Sequence, residues 1–150
     1  MIWKGNKFIL MPHTMQTTQA DIDWILSHCQ TIAVVGLSPK PHRVSHAVAS
    51  IMQSRGYRII PVNPNAETVL GEKVYRSLTE AARHEKIDLV NIFRNSEDVP
   101  PVVDEAIAIG AAAVWMQLGI AHEAAASQAR AAGLRVVEDR CIKVEWALRR

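Results

Sequence analysis

Between Thr31 and Pro64 the chain runs through TIAVVG, LSPKPHRVSH, AVASIMQSRG and YRIIPVNP, and few folds accommodate that succession. Ile32 to Val35 is a short apolar run rich in β-branched residues and stopped by Gly36, the pattern of a strand covered on both faces. Val44, Val48, Ile51 and Met52 then recur at helical spacing, and Gly56 marks the C-terminal stop of that helix. Arg58 to Val62 reads as a second strand, in which Pro61 predicts an irregular or early end, and Asn63-Pro64-Asn65 as a turn. Strand, loop, helix and strand make one β-α-β unit. Its first loop is where such units bind phosphorylated ligands, because N–H groups at a helix start lack intrahelical partners and the helix dipole adds partial positive charge.

The flanking sequence extends the alternation. Ile22, Ile25 and Leu26 form a helical stripe over Thr18 to His28. After Asn65, a connecting segment with a minor strand is expected over Glu67 to Leu78, then a short helix from Thr79 to His84 capped by Thr79. Ile87 to Phe93 is a buried strand. Ser96 is a candidate N-cap for the following helix, whose stripe is Val99, Val103, Ala106 and Ile107 and whose end is Gly110. Ala112 to Met116 is a strand, Ala121 to Ala132 a helix stopped by Gly133, and Leu134 to Val137 the last strand. The tail to Arg150 is expected to wrap the sheet edge. Met1 to Thr14 matches neither helix nor strand and is set aside as a poorly ordered extension, an upstream start or a cloning remnant, with Met15 as the natural beginning. Residues 15–150 are then one α/β domain of Rossmann-like, three-layer design: a mainly parallel sheet with helices on both faces.

Composition narrows the class of function. A net charge of +2 gives little reason to expect nucleic-acid binding. The longest apolar run, Ala106 to Met116, is too short for a bilayer and contains Gly110, and the apolar run Phe8 to Met11 is too short for a signal peptide. Cys29 and Cys141 form no CxxC pair and read as thiols of a reducing, cytoplasmic compartment.

In a sheet of this kind ligands sit beyond the C-terminal strand ends, where strand order reverses. That selects Gly36 to Arg43, Asn63 to Asn65, Phe93 to Asn95 and Gln117 to Gly119. A nicotinamide or flavin dinucleotide is disfavoured: GxGxxG is missing, and the second strand ends in Asn63 rather than the acid that would hold ribose hydroxyls. A hydrolase elbow at Ser38 fails because the next residue, Pro39, has no N–H for an oxyanion. Ser38 is read as a hydrogen-bonding group. Lys40 and Arg43 are candidate phosphate contacts beside the helix start. His42 and His46 provide at most two ligands, and a metal site needs three. Arg94 and Asn95 follow a buried strand and either reach a ligand or cap the next helix. Tyr75 and Trp115 are assigned to packing.

The segments VVGLSPKPHRVSHAVA, GYRIIPVNPN, LGEKVY, NIFRNSEDVP, WMQLGI and AGLRVVEDRC together resemble the family of small, free-standing CoA-binding proteins. That family is in turn similar to the N-terminal domain of the succinyl-CoA synthetase α subunit. The resemblance spans about Thr31 to Lys143. It implies a site for CoA or an acyl-CoA in which Gly36, Ser38, Pro39, Lys40 and Arg43 cradle the phosphates. Val62, Asn63 and Pro64 border the nucleotide, and Phe93, Arg94, Gln117 and Gly119 close the site. The chain has Pro39 and Pro41 where the synthetase loop carries glycine, and none of its six histidines lies in a motif matching the phosphorylated one. The expectation is therefore a nucleotide-binding protein without catalysis, serving as a carrier, a sensor or a means of delivery to a partner enzyme, or working as a homo-oligomer. The competing expectation is an NAD(P)-dependent oxidoreductase or another nucleotide-using enzyme on the same fold.

Overall fold

The computed structural model describes residues 13–150, with side chains from Thr18 onward. Residues 1–12, most of the segment set aside above, lie outside the described residues. The elements in order are α1 (His13–His28), β1 (Thr31–Val35), α2 (Val44–Ser54), β2 (Arg58–Val62), β3 (Thr68–Val69), β4 (Glu72–Lys73), α3 (Leu78–Ala82), β5 (Leu89–Ile92), α4 (Val99–Ala108), β6 (Ala113–Met116), α5 (Glu123–Ala131), β7 (Arg135–Val137) and α6 (Ile142–Leu148). A single 3-10 turn, Ser96–Asp98, leads into α4. Among the described residues no helix is long and apolar enough to cross a membrane.

Five strands form one parallel sheet in the order β2-β1-β5-β6-β7. Alternation along each strand divides the core in two. Ala33, Val35, Val90, Ile92, Val114 and Met116 face α3, α4 and α5, whereas Ile32, Val34, Leu89, Trp115 and Val137 face α1, α2 and α6. This is the three-layer Rossmann-like architecture expected from the alternation. Trp115 is fully buried, with its indole N–H donating to the Arg140 carbonyl at 2.8 Å. Tyr75 is also buried and stacks on His84.

Several local expectations give way to tertiary context. The helix before β1 starts at His13, so it takes in the last two residues of the segment set aside. Val44 and Ile51 are exposed, and α2 buries Ser45, Val48, Ala49 and Met52 instead. Pro61 does not break β2: on this outermost strand its carbonyl accepts the Tyr75 N–H, so its missing N–H lies on the side without a sheet partner. The segment after it is a two-stranded antiparallel hairpin turning through Leu70 and Gly71, both at positive φ. The cap of α3 is Ser77, whose Oγ accepts the Glu80 N–H, while Thr79 binds the Glu105 carboxylate. Ser96 does not cap α4, and its Oγ accepts the Ala121 N–H. The tail is a helix, α6, that seals the α1/α2 face with Ile142.

One carboxylate anchors the start of the sheet. The Asp88 carboxylate accepts the N–H groups of Gln30 and Thr31, both at 3.0 Å, and pairs with Lys86. Burial acts to raise its pKa, but the bonds from Thr31, Lys86 and Gln30 outweigh that and hold it below the ordinary carboxylate value. Cys29 is a free thiol pushed up to about 12, by burial first and by the Asp88 charge second. Cys141 is free and half-buried.

Candidate functional site

Strand order reverses at β1: β2 lies on one side of it and β5 on the other. The loops leaving β1 and β5 therefore diverge and open a cleft of about 580 Å³ lined by Gly36, Ser38, Arg43, Val44, Ser45, Phe93, Arg94, Asn95, Ser96, Glu97, Gly119 and Ile120. Seven of the residues expected from sequence meet there: Gly36, Ser38, Arg43, Phe93, Arg94, Asn95 and Gly119.

Gly36 makes the floor possible. It sits at φ +89°, its N–H donates to the Val62 carbonyl at 2.9 Å, and a Cβ on it would stand 2.3 Å from the Phe93 carbonyl oxygen. The next residues fold back as a turn held by their own side chains. Ser38 Oγ accepts the Lys40 N–H at 3.1 Å, and the Ser38 N–H donates to Ser45 Oγ at 3.0 Å. The chain then enters α2 through Arg43, an N-cap residue in extended conformation that makes no side-chain cap. No side chain caps the first-turn N–H groups of α2, and Val44 and Ser45 of that turn line the cleft. The lining residues include two cations, Arg43 and Arg94, one acid, Glu97, and the apolar Val44, Phe93 and Ile120. This combination suits an anion with an attached uncharged arm.

The remaining expected residues lie elsewhere. Pro39 and Lys40 are exposed beside the loop and do not line the cleft. Val62 is buried in β2 and contributes only its carbonyl, to Gly36. Asn63 is a brace: its Nδ2 donates to the Leu37 carbonyl at 2.9 Å and its Oδ1 accepts the Asn65 N–H at 2.8 Å. Pro64 lines a separate cleft of about 650 Å³ with Asn65, Lys73 and Arg76. Gln117 is buried, and its Oε1 accepts the Ile142 N–H at 3.0 Å, pinning the start of α6.

Sequence reasoning missed the lining roles of Val44, Ser45, Ser96, Glu97 and Ile120. The signal for Val44 and Ser45 was position alone, since both lie in the first turn of the helix after the loop. Among the described residues no cluster of three or more potential metal ligands occurs.

A family model described as a CoA binding domain matches residues 30–147. The uncharacterized protein YneT of Bacillus subtilis is 44% identical over 131 residues, covering 87% of this chain and 96% of that protein. A structure of a hypothetical protein from Pyrococcus horikoshii superposes with a TM-score of 0.82 at 37% identity, covering 87% of this chain and 91% of the other. An ADP-forming acetate–CoA ligase of Methanocaldococcus jannaschii is 28% identical over 80 residues, which is 53% of this chain and 11% of the ligase.

Proposed function

The chain belongs to the CoA-binding domain family, and from that premise we propose that it binds CoA or an acyl-CoA in the cleft between the β1–α2 and β5–α4 loops. The observation that carries this reading is the uncapped start of α2 opening beside Gly36, with Arg43 and Arg94 on the same lining. Backbone N–H groups and two guanidinium groups meet the diphosphate there, and Val44, Phe93 and Ile120 offer apolar contact to the pantetheine arm.

The protein holds its ligand rather than transforming it, as a carrier, a sensor or a source for a partner enzyme in the cytoplasm. Ser38, the hydroxyl nearest to a nucleophile elbow in sequence, has its Oγ engaged by the Lys40 N–H and is followed by Pro39, which has no N–H for an oxyanion. An NAD(P) enzyme is disfavoured for a related reason. The strand end that would carry the ribose-binding acid carries Asn63, and that side chain is committed to Leu37 and Asn65.

Thermal unfolding with CoA, acetyl-CoA, NAD, NADP and ATP tests the reading, because a ligand bound only by the native state raises stability. A rise confined to the CoA species is expected. A rise with NAD or NADP alone would replace this function with the dinucleotide reading.

A further inference from the structure

The far wall of the cleft is the loop from β6 to α5, which contributes Gly119 and Ile120. Its backbone is tied down by groups remote in sequence. The Gly119 N–H donates to Asp139 Oδ1 at 2.6 Å, the Ala121 N–H to Ser96 Oγ at 3.1 Å, and the His122 N–H to Glu138 Oε2 at 3.0 Å. In return the Asp139 N–H donates to the Ile120 carbonyl at 3.0 Å. Gly119 thus spends its N–H on a side chain, and the loop serves the cleft through its shape.

Asp139 itself lies in the left-handed region, at φ +55°. Glycine takes that conformation at least cost, and aspartate is among the few other residues that tolerate it. The one thing aspartate adds there is the carboxylate on Gly119. Resting on the function proposed above, we propose that Asp139 is a positioning residue for the CoA site: its carboxylate fixes the Gly119–Ile120 wall against which the ligand closes. This gives a role to the Glu138-Asp139-Arg140-Cys141 segment, which never reaches the cleft lining.

Asp139→Gly separates positioning from general stability, because it removes the carboxylate while suiting the backbone. The expected result is a melting temperature within a few degrees of that of the unaltered protein, because the relief at positive φ offsets part of the lost bond, with CoA affinity lowered about three- to tenfold, the range for one ordinary hydrogen bond felt by the ligand through the wall. Asp139→Asn keeps an acceptor and should recover most of the affinity. Amide exchange at Gly119, read by NMR without any ligand, should accelerate in Asp139→Gly and much less in Asp139→Asn. Unchanged affinity in Asp139→Gly would overturn the proposal, and so would unchanged Gly119 exchange. A protein that binds no CoA in any form would instead overturn the function proposed above, while the exchange measurement still decides whether Asp139 holds the wall.

Discussion

One added carbon at Gly36 would stand 2.3 Å from the Phe93 carbonyl oxygen, on a backbone already at φ +89°. Backbone cannot give way there as a flexible side chain could. Gly36→Ala should therefore cost about 2–4 kcal/mol in denaturant unfolding and abolish ligand binding with it. The basic residues of the following loop separate by placement. Arg43 lines the cleft and Lys40 does not, so Arg43→Ala should weaken CoA binding by about tenfold or more, as for loss of a charge-assisted contact, with the fold intact. Lys40→Ala should change affinity by much less, and equal losses in the two calorimetric titrations would move the phosphates toward Lys40. Sequence alone named both residues on equal terms. It could not separate them, because which side of a turn a side chain faces depends on the Ser38 and Ser45 hydroxyl contacts that close the loop. Asn63 and Gln117 are expected as contacts from their places at strand ends and from the family resemblance, but a polar residue there can also brace a neighbour, and both do: Asn63 bonds the Leu37 carbonyl and Gln117 the Ile142 N–H.

At the scale of elements, the strands and their order along the chain were legible because β1, β2, β5 and β6 are buried on both faces and mostly apolar, with the buried Asn91 interrupting β5. The helices were legible in place and less so in orientation. Val44 and Ile51 fit the α2 stripe by spacing, but the sheet takes the face carrying Val48, Ala49 and Met52. The minor strand expected between Glu67 and Leu78 is there, but its pairing as a hairpin over Thr68–Lys73 was not legible, because the turn places Leu70, a residue with no turn preference, at φ +55°. The α3 start was readable in retrospect from Ser77 with Glu80 three residues on, the order of a capping box. Asp88 supplies a test of how the sheet is anchored. Its carboxyl is held below the ordinary value, so its stabilisation is present above the unfolded-state pKa and lost as pH falls through the lower native one. Asp88→Asn should cost about 1–3 kcal/mol at neutral pH. It should also flatten the acid side of the stability profile. An unchanged acid limb in urea titrations at several pH values would show that the bonds to Gln30 and Thr31 contribute nothing net.

For the whole molecule, one topological fact sets where the cleft lies. With β2 and β5 on opposite sides of β1, the loops that leave β1 and β5 part company and leave a cleft that only the β6–α5 loop closes. Residues from three of the four segments that this rule selects in the sequence line that cleft. The fourth, Asn63 to Asn65, lies at the sheet edge, where the end of β2 is bonded to Tyr75 and turned toward a different cleft. The central claim is that CoA is held by the α2 start together with Arg43 and Arg94. Titration calorimetry of CoA into the unaltered protein and into Arg43→Ala/Arg94→Ala tests it most directly. The account predicts saturable binding by the unaltered chain and a loss of about a hundredfold or more in the double variant at unchanged melting temperature. Equal affinity in the two proteins would contradict it.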